Sequence, residues 1–351
     1  MTFAVECGFI NIELNPMNAA ANESNPDVFV VVPSYNHAPF IEICLRSIIG
    51  QTRSPKKLLV IDDGSRDDSP AIIDRVLKDC PFDSELIVRE NRGLCRTLNQ
   101  AFELSTGKYF AYIGSDDYWL DGFIENRVKL LEGRPGAALG YGHAYFVDEN
   151  GREYDSTAEY ISTWGNYPDG DPRRMLLRGI APVSSTLFYR RSALEAVSWN
   201  EDSRLEDYEL YLKMMQVGEF AFDPAILSAW RQHGYNTSGD TLLMLNEVIA
   251  AQERNFDILG LTRDELAEIQ TETRFRYARE LLQHGEKRSA LKLAAANWRG
   301  APEKIDLFRF GFRMLIPMAA VNAYRRRKRE RFSAGPPGKR CYQFGERNFT
   351  R

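Results

Sequence analysis

VFVVVPSYNHAPFIEICLRSIIGQTRSPKKLLVIDDGS, residues 28–65, contains two strand-like apolar runs separated by a segment with helical periodicity. The runs at 28–32 and 57–61 are apolar at consecutive positions, which is typical of strands covered on both faces. A helix is predicted over 39–50, between them. Two such strands joined through a helix form a parallel pair with a right-handed crossover. The stretch therefore predicts the first unit of an α/β sheet.

The same alternation continues beyond this stretch. It predicts helices at 69–77 and 93–105 and strands at 84–88 and 109–113. We expect an α/β fold with a Rossmann-like, mostly parallel central sheet flanked by helices. Beyond residue 121 the order is mixed, with helices predicted at 122–131, 172–178 and 206–217, strands at 137–146, 184–189 and 226–231, and a polar loop at 148–172.

Four regions are expected along the chain. Residues 1–26 have no clear period and are interpreted as a loosely ordered extension. Residues 27–240 would form the α/β domain, 241–300 a helical region, and 301–351 a basic amphipathic tail. The sequence therefore predicts one α/β domain followed by a helical appendage.

Composition indicates an ordinary globular protein, with 44% hydrophobic and 27% charged residues. No apolar run approaches the roughly 18–20 residues that a membrane span needs. The N-terminus lacks the features of a signal peptide. The five cysteines are scattered and have no metal-ligand spacing, as expected of reduced thiols. A cytoplasmic location is predicted.

Charge is divided unevenly along the chain. Residues 302–351 carry 13 Lys and Arg against 4 Asp and Glu, a net charge of +9, whereas the residues before them carry −13. A basic tail on an acidic protein favours contact with an anionic partner, such as a membrane surface or a nucleic acid.

Acidic residues lie at three places that this topology would bring together. Asp62-Asp63 follows the second strand and Asp116-Asp117 the fourth, while Glu206-Asp207 opens a helix. Ligands of such sheets bind beyond the carboxyl ends of the strands. Each pair alone has a structural explanation, because turns and helix starts favour acids.

An ordered set of motifs joins these acids into one pattern, which closely resembles the family-2 glycosyltransferases of the GT-A fold, including bacterial O-antigen and capsule enzymes. The resemblance covers residues 28–231. The motifs are VVVPSYN at 30–36, SIIGQT at 47–52, VIDDGS at 60–65, NRG at 91–93, Asn99, GKY at 107–109 and SDD at 115–117.

The resemblance implies an inverting transferase that depends on a divalent metal, Mn²⁺ or Mg²⁺. Such an enzyme would move one sugar from a nucleotide-sugar donor, with a leaning toward UDP-sugars, to a hydroxyl of a glycan or lipid-linked oligosaccharide. The biological setting it implies is bacterial surface polysaccharide biosynthesis. The Gln-x-x-Arg-Trp pattern of processive synthases is missing near residues 230–234, which favours transfer of a single sugar.

Donor-site roles follow from the same resemblance. Pro33 and Tyr35 would line the base pocket, and Asp63 would accept a hydrogen bond from the base imide. Asp116 would contact the ribose or sugar. Asp117, as the last residue of a DxD-like motif, is the expected metal ligand, since hard oxygen ligands suit these cations.

Four further residues complete the expected site, and two of them have an alternative interpretation. Asp207 is the candidate general base that deprotonates the acceptor hydroxyl, with Glu206 orienting it or touching the acceptor. Arg96 would add a cationic phosphate contact, the alternative being a solvated helix face. His233 would complete the metal shell, the alternative being an ordinary polar loop residue.

The tail segment 305–332 places large apolar residues before the basic run 325–331, with Pro317 expected to kink or divide the helix. This pattern is typical of helices that attach to anionic lipid, so we expect a peripheral position at the inner face of the cell membrane. The alternative is a helix packed on the core. No nucleic-acid partner is expected, because no known binding motif accompanies the charges.

Two other functions compete with a glycosyltransferase. A nucleotidyltransferase would want a glycine-rich cationic loop after the first strand, where Pro33-Ser34-Tyr35 stands instead. A non-catalytic nucleotide-sugar-binding module would not need Asp63, Asp117 and Asp207 together. The missing Gly-x-Gly-x-x-Gly fingerprint argues against a dehydrogenase.

Overall fold

The computed structural model describes residues 27–160, 164–234, 236 and 239–333. The predicted extension at 1–26 and the last part of the predicted tail lie outside the described residues. The strands are β1 (Val28–Ser34), β2 (Lys57–Asp62), β3 (Asp83–Val88), β4 (Tyr109–Tyr112), β5 (Tyr118–Trp119), β6 (Ala137–Val147), β7 (Glu153–Ser156), β8 (Phe188–Arg190) and β9 (Glu219–Arg231). The helices are α1 (Ile41–Ile49), α2 (Ser69–Leu77), α3 (Leu94–Leu104), α4 (Phe123–Glu132), α5 (Arg173–Leu177), α6 (Arg191–Leu194), α7 (Glu206–Met214), α8 (Thr241–Arg254), α9 (Phe256–Leu259), α10 (Arg263–His284), α11 (Lys287–Ala296), α12 (Lys304–Leu315) and α13 (Met318–Ser333).

The first four strands form the parallel half of the sheet. They lie in the order β3-β2-β1-β4, with every neighbouring pair parallel, and Ser34 of β1 is in register with Asp62 of β2. Helices follow β1, β2 and β3 along the chain, which is the arrangement that crossover connections require. The predicted α/β class with a mostly parallel sheet in this half is confirmed.

Alternate residues of β1 enter two different cores. Val28, Val30 and Val32 pack with residues of α1, α2 and α4 on one face. Phe29 and Val31 pack on the other face with residues of α3 and α7. Because side chains of a strand alternate between faces, a strand buried on both faces is apolar at every position. The run VFVVV is explained by this double burial.

The second half of the sheet mixes parallel and antiparallel pairs. It continues through β8, β6, β9 and β5, and the long strands β6 and β9 pair in parallel. Two strands were not predicted. The loop expected at 148–172 contains β7, which pairs with β6, because Glu153–Ser156 has no apolar run to mark it. The strand β5 has only two residues, too few to show a period.

The C-terminal region is helical, as predicted. A capping box of Thr262 and Glu265 begins α10, and a small separate core joins α10 and α11 to α12 through Phe310. The chain between α12 and α13 contains Pro317, so the expected division of this helix is confirmed. Among the described residues, none of the helices combines the length and the apolar character needed to cross a bilayer.

A buried ion pair holds β9 against α4. The Arg127 side chain is fully buried, with Nη1 2.8 Å from Asp223 Oδ2 and Nε donating to the Thr186 carbonyl at 3.1 Å. Burial lowers the pKa of Arg127 to about 10, so the guanidinium stays charged at neutral pH. Gly142 of β6 is required beside it, since a Cβ there would lie 2.5 Å from Arg127 Nη2. The pair fixes the strand that leads into the candidate site.

Replacing Asp223 with Ala is expected to lower the free energy of unfolding by about 3 kcal/mol, because it leaves a buried guanidinium without its counter-charge. The control is Asp74→Ala, which breaks the exposed Lys78–Asp74 pair within α2 and is expected to cost less than about 0.5 kcal/mol. Urea unfolding at pH 7, followed by circular dichroism, measures both. Equal losses in the two variants would contradict the role given to the buried pair.

Candidate active site

A cleft of about 2100 Å³ lies at the carboxyl ends of β1, β2 and β4. It is lined by residues that follow these strands, by the start of α7 and by the end of β9. Pockets for one small molecule usually measure about 300–1,000 Å³. The cleft is therefore large enough for a donor and a second, larger substrate.

The loop after β1 brings an aromatic ring to the cleft. Pro33 and Tyr35 both line it, and the Tyr35 ring is 44% exposed. Asn36 adopts a left-handed conformation with a φ of 54°, and its backbone N–H donates to Ser65 Oγ at 2.8 Å. The loops after β1 and β2 are thus tied together. Pro33 and Tyr35, the two predicted base-pocket residues, both lie at the cleft, where the exposed Tyr35 ring can stack on a flat ligand.

The two acids after β2 have different surroundings. Asp62 accepts from Ser65 N at 2.8 Å and from Ser65 Oγ at 2.6 Å, so it organises the turn. Asp63 lines the cleft and accepts from the backbone N–H groups of Arg92 and Gly93 at 2.9 and 2.7 Å. Arg89 Nη1 lies 2.9 Å from Asp63 Oδ1. These contacts fix the Asp63 carboxylate at the cleft wall and leave acceptor capacity on Oδ2.

The predicted phosphate contact of Arg96 is not supported by the structure. Arg96 is not among the residues that line the cleft, and its Nε lies 3.0 Å from Glu201 Oε2 on an exposed surface. Long cationic side chains on exposed helix faces commonly form such pairs. The alternative interpretation, a solvated helix face, describes its position.

Three side chains converge where β4 and β9 end. Donor atoms of His37, Asp116 and His233 lie within 4.8 Å of one another, a grouping that could hold a metal ion. His233 Nε2 is 3.0 Å from Asp116 Oδ2, and His37 Nδ1 is 2.7 Å from Ser115 Oγ. We call these three residues the His-Asp-His group. One carboxylate with two imidazoles suits Mn²⁺ better than Mg²⁺, which prefers oxygen ligands alone.

The charge states in the His-Asp-His group suit a cation. Burial opposes ionisation of Asp116, but the hydrogen bond with His233 and the nearby His37 outweigh it and lower the pKa of the carboxyl. Burial, with a further contribution from His233, lowers the pKa of His37. At neutral pH the group therefore contains an ionised carboxylate and a neutral His37 imidazole, which is the form that binds metals.

Asp117 lies outside the His-Asp-His group, contrary to the expectation that it is the metal ligand. Its Oδ1 accepts from the backbone N–H of Arg231 at 2.8 Å. Burial and the charge of Asp116 raise the pKa of the Asp117 carboxyl well above its usual value. The side chain therefore ties the loop after β4 to β9, and Asp116, rather than Asp117, lies in the group that could hold a metal ion.

Arg231 holds both acids of this loop in place. Its side chain is 1% exposed, its Nε donates to the Asp116 carbonyl at 2.7 Å, and its Nη1 donates to the carbonyls of Asp148 and Glu149. The guanidinium also lies over the Phe40 ring at 5.0 Å. This fixed fork of donors binds carbonyls of separate segments and so positions Asp116 of the His-Asp-His group, although Arg231 is not among the residues that line the cleft.

The start of α7 brings a second pair of carboxylates to the cleft. Glu206 and Asp207 both line it, and Asp207 Oδ1 accepts from Tyr208 N at 2.6 Å. Although both side chains keep some contact with solvent, burial raises the pKa of Asp207 to about 6. Burial and the charge of Asp207 raise the pKa of Glu206 to about 8, and Asp116 adds to this shift. A carboxylate with a raised pKa in a cleft can accept a proton near neutral pH.

Two residues of the site were missed in the sequence. His37 stands two residues after Tyr35, at the same sheet edge as the acids, and it is one of only four histidines, so its position was a usable signal. Arg231 ends the largely apolar run 225–231, which predicts a strand but not the partners of its last residue. Its role depends on contacts with residues about 80 to 115 positions away.

Comparisons with known proteins agree with this geometry. Residues 29–198 match the model of glycosyl transferase family 2. An uncharacterised glycosyltransferase of Nostoc sp. is 28% identical over 174 residues, which are 48% of this chain and 52% of that protein. The chain thus spans about half the length of this curated relative.

Two solved structures share the fold. A mannosyltransferase from Pyrobaculum calidifontis, in complex with GDP-Man and Mn²⁺, aligns with a TM-score of 0.59 at 17% identity, covering 87% of this chain and 85% of that one. S. aureus TarS 1-349, in complex with UDP-GlcNAc, aligns with a TM-score of 0.55 at 16% identity, covering 86% and 88%. The chain therefore has the predicted GT-A fold, and its residues 29–198 match the glycosyl transferase family 2 model.

Proposed function

We propose that this chain is a metal-dependent, inverting glycosyltransferase that moves one sugar from a nucleotide-sugar, with UDP-sugars favoured, to a hydroxyl of a glycan or lipid-linked oligosaccharide. The observation that carries the proposal is that His37 and Asp116 line the same cleft as the Glu206–Asp207 pair, with His233 Nε2 3.0 Å from Asp116 Oδ2. The first suits a cation with a diphosphate, and the second suits proton transfer. Bacterial surface polysaccharide biosynthesis is the setting we infer for it.

Donor binding would use the strand ends. Tyr35 and Pro33 would contact the base, and Asp63 would accept from a base N–H through its remaining lone pairs. Asp116, with His233 and His37, would hold Mn²⁺. When bound, the cation would neutralise the charge that develops on the departing nucleoside diphosphate.

Asp207 would act as the general base. It would accept the proton of the acceptor hydroxyl while the hydroxyl oxygen forms the bond to the anomeric carbon. The diphosphate would leave with the electron pair of the broken bond, from the opposite face, which inverts the configuration. Glu206, with its higher pKa, would be protonated at neutral pH and could donate a hydrogen bond to the acceptor.

Binding of the nucleotide can be tested by thermal shift with UDP, GDP, dTDP and CMP, each with and without Mn²⁺. We expect one nucleoside diphosphate to raise the melting temperature, and Mn²⁺ to increase the shift, because ligands of the folded state stabilise it by mass action. Asp116→Asn should abolish the Mn²⁺-dependent part. Asp68→Asn, which changes an exposed acid at the start of α2, should retain it.

Two results of the screen would contradict the proposal. If no nucleotide shifts the melting temperature, the donor site is wrong. If Asp116→Asn keeps the full Mn²⁺-dependent shift, the assignment of Asp116 to the cation is wrong.

Asp207→Asn should reduce turnover of the donor at least about 100-fold, since a positioned general base contributes roughly 10²–10⁴-fold. Nucleotide binding should be unchanged, because Asp207 would contact the acceptor side. Release of nucleoside diphosphate from the donor measures turnover. Asp202→Asn, which changes an exposed acid shortly before α7, is the control and should leave turnover unchanged. Substantial turnover by Asp207→Asn would reject it as the base, whereas nucleotide binding without any turnover by the parent protein would favour the non-catalytic nucleotide-sugar-binding module.

The pH dependence of turnover should reflect the raised pKa of Asp207. A base works only when ionised, so activity should fall about tenfold per pH unit below a pKa of about 6, rather than below the pKa near 4 of an ordinary Asp. The nucleotide-induced thermal shift, measured over the same pH range, separates this loss from loss of the cation. If turnover falls only below about pH 4 while nucleotide binding is intact, the assignment of Asp207 as the general base is contradicted.

We further propose that the outer face of α12 attaches to anionic lipid. Phe308, Phe312 and Leu315 are 70%, 60% and 79% exposed, and their spacing places them on one face of the helix. Arg309 and Arg313 lie on the same helix, and Arg326, Arg327 and Arg331 of α13 are exposed. Exposed apolar rings beside cations are typical of helices that lie in a membrane interface.

Sedimentation with vesicles tests this attachment. The protein should bind vesicles rich in phosphatidylglycerol and not those of phosphatidylcholine, and Phe308→Ser with Phe312→Ser should abolish binding. Leu104→Ser with Leu291→Ser, two exposed leucines outside α12, is the matched control. Equal loss in both double variants, or no binding by the parent protein, would refute the membrane role.

A further inference from the structure

The cleft has an acidic end and a cationic end. Its acidic end holds the strand-end carboxylates. Elsewhere it is lined by nine Arg and Lys side chains, all between residues 174 and 329, against five acids, so this end has a net positive charge; the acids are Asp155, Asp171, Glu272, Glu280 and Asp306. The proposed nucleotide-sugar donor and its metal ion account for the acidic end. None of the nine Arg and Lys side chains has a role in the proposed donor site.

Most of these cations have no carboxylate partner. Lys328 pairs with Asp155 at 2.5 Å, and Arg279 and Arg309 lie near Asp306. Within the part of the chain that the structure describes, no ion pair involves the remaining six, which are Arg174, Arg178, Arg204, Arg276, Arg325 and Arg329. Clustered charges of one sign attract ions of the other sign.

Three of the six have fixed orientations. Arg276 Nη2 donates to the Gly179 carbonyl at 2.9 Å, and Arg325 Nη2 donates to the Gln283 carbonyl at 2.8 Å. The Arg329 guanidinium lies 4.2 Å from the centre of the Tyr154 ring. Neutral partners orient these guanidinium groups without cancelling their charge, so they remain available to an anion.

A row of aromatic rings connects the cationic end to the His-Asp-His group. Trp230, three residues before His233, lies 5.9 Å from Trp164, which lies 5.7 Å from Tyr160. Lys328 Nζ of α13 is 5.1 Å from the Tyr160 ring. Trp230, Trp164, Tyr160 and Lys328 all line the cleft. Aromatic surfaces with polar edges suit sugar rings, which present an apolar face and hydroxyl groups.

We propose that the acceptor is an anionic glycan, with its sugars on this aromatic row and its phosphate or carboxylate groups on Arg276, Arg325 and Arg329. The inference rests on the proposed glycosyltransferase function and specifies its second substrate. Guanidinium groups bind phosphate and carboxylate through paired hydrogen bonds. The helix α13 is then a wall of the acceptor site.

This assignment divides the basic run at 325–331 into two faces. Arg325, Lys328 and Arg329 line the cleft, whereas Arg326, Arg327 and Arg331 are exposed and do not. The division provides a test with equal charge changes on one helix. The cleft variant is Arg325→Gln with Arg329→Gln, and the outer variant is Arg326→Gln with Arg327→Gln.

Binding of three probes by isothermal titration tests the proposal: oligogalacturonate for carboxylates, inorganic tripolyphosphate for phosphates, and maltohexaose as a neutral glycan. We expect at least one anionic probe to bind, to weaken as salt is raised, and to bind more tightly than maltohexaose. The cleft variant should lose about tenfold in affinity and the outer variant less than about twofold. The probe that binds identifies the anionic group.

A charge-retaining variant, Arg325→Lys with Arg329→Lys, guards against loss through misfolding and should bind more tightly than the cleft variant but less tightly than the parent protein, because it keeps the charge and loses the paired hydrogen bonds. Equal losses in the cleft and outer variants would overturn the proposal, as would equal binding of maltohexaose. Tighter binding of a single-stranded oligonucleotide than of either anionic probe would also overturn the glycan assignment.

The nucleotide-induced thermal shift distinguishes failure of this inference from failure of the proposed function. A protein that binds a nucleotide with Mn²⁺ but no anionic probe keeps the donor function and refutes the acceptor assignment. A protein that binds neither refutes both. The cleft variant should show the same nucleotide shift as the parent protein.

Discussion

The buried guanidinium of Arg231 is the interaction on which the candidate site depends. It lies at the end of β9 and binds backbone carbonyls of the loop after β4 and of the turn between β6 and β7. Its own N–H fixes Asp117. Removing a charge from water costs several kcal/mol unless its hydrogen bonds are replaced. Once buried, Arg231 therefore requires these three segments to meet, and their meeting places Asp116 beside His233.

The fold supplies two unlike environments to one cleft. The parallel half ends in loops whose Asp and His side chains are held by backbone contacts, which suits a charged donor and a cation. The other end combines aromatic rings of β9 and of the segment before α5 with arginines of α10 and α13. Electrostatic attraction falls off with distance and salt, so the two ends can hold groups of opposite charge without cancelling each other.

The sequence predicted the parallel half of the fold well, because strands buried on both faces are apolar throughout and the helices between them are periodic. The strand Val28–Ser34 shows the first of these signals, and the helix Ser69–Leu77 shows the second. The strand Glu153–Ser156 was not predictable in this way, since its sequence EYDS is polar and its pairing with β6 alone makes it a strand. In the site, the motifs located the clusters, but contacts decided the individual roles: Asp117 is held by Arg231, Arg96 by Glu201, and His37 joins Asp116. Such contacts depend on residues far apart in the sequence, which local patterns do not encode.

The position of the cation tests the central claim most directly. Crystals grown with Mn²⁺ and the nucleoside diphosphate that binds should give an anomalous peak at the manganese edge. The account predicts a peak within coordination distance of the Asp116 carboxylate and the His233 imidazole, with Asp117 still bound to the backbone of Arg231. A peak coordinated by Asp117 in place of Asp116, or bound nucleotide with no manganese at this position, would contradict it.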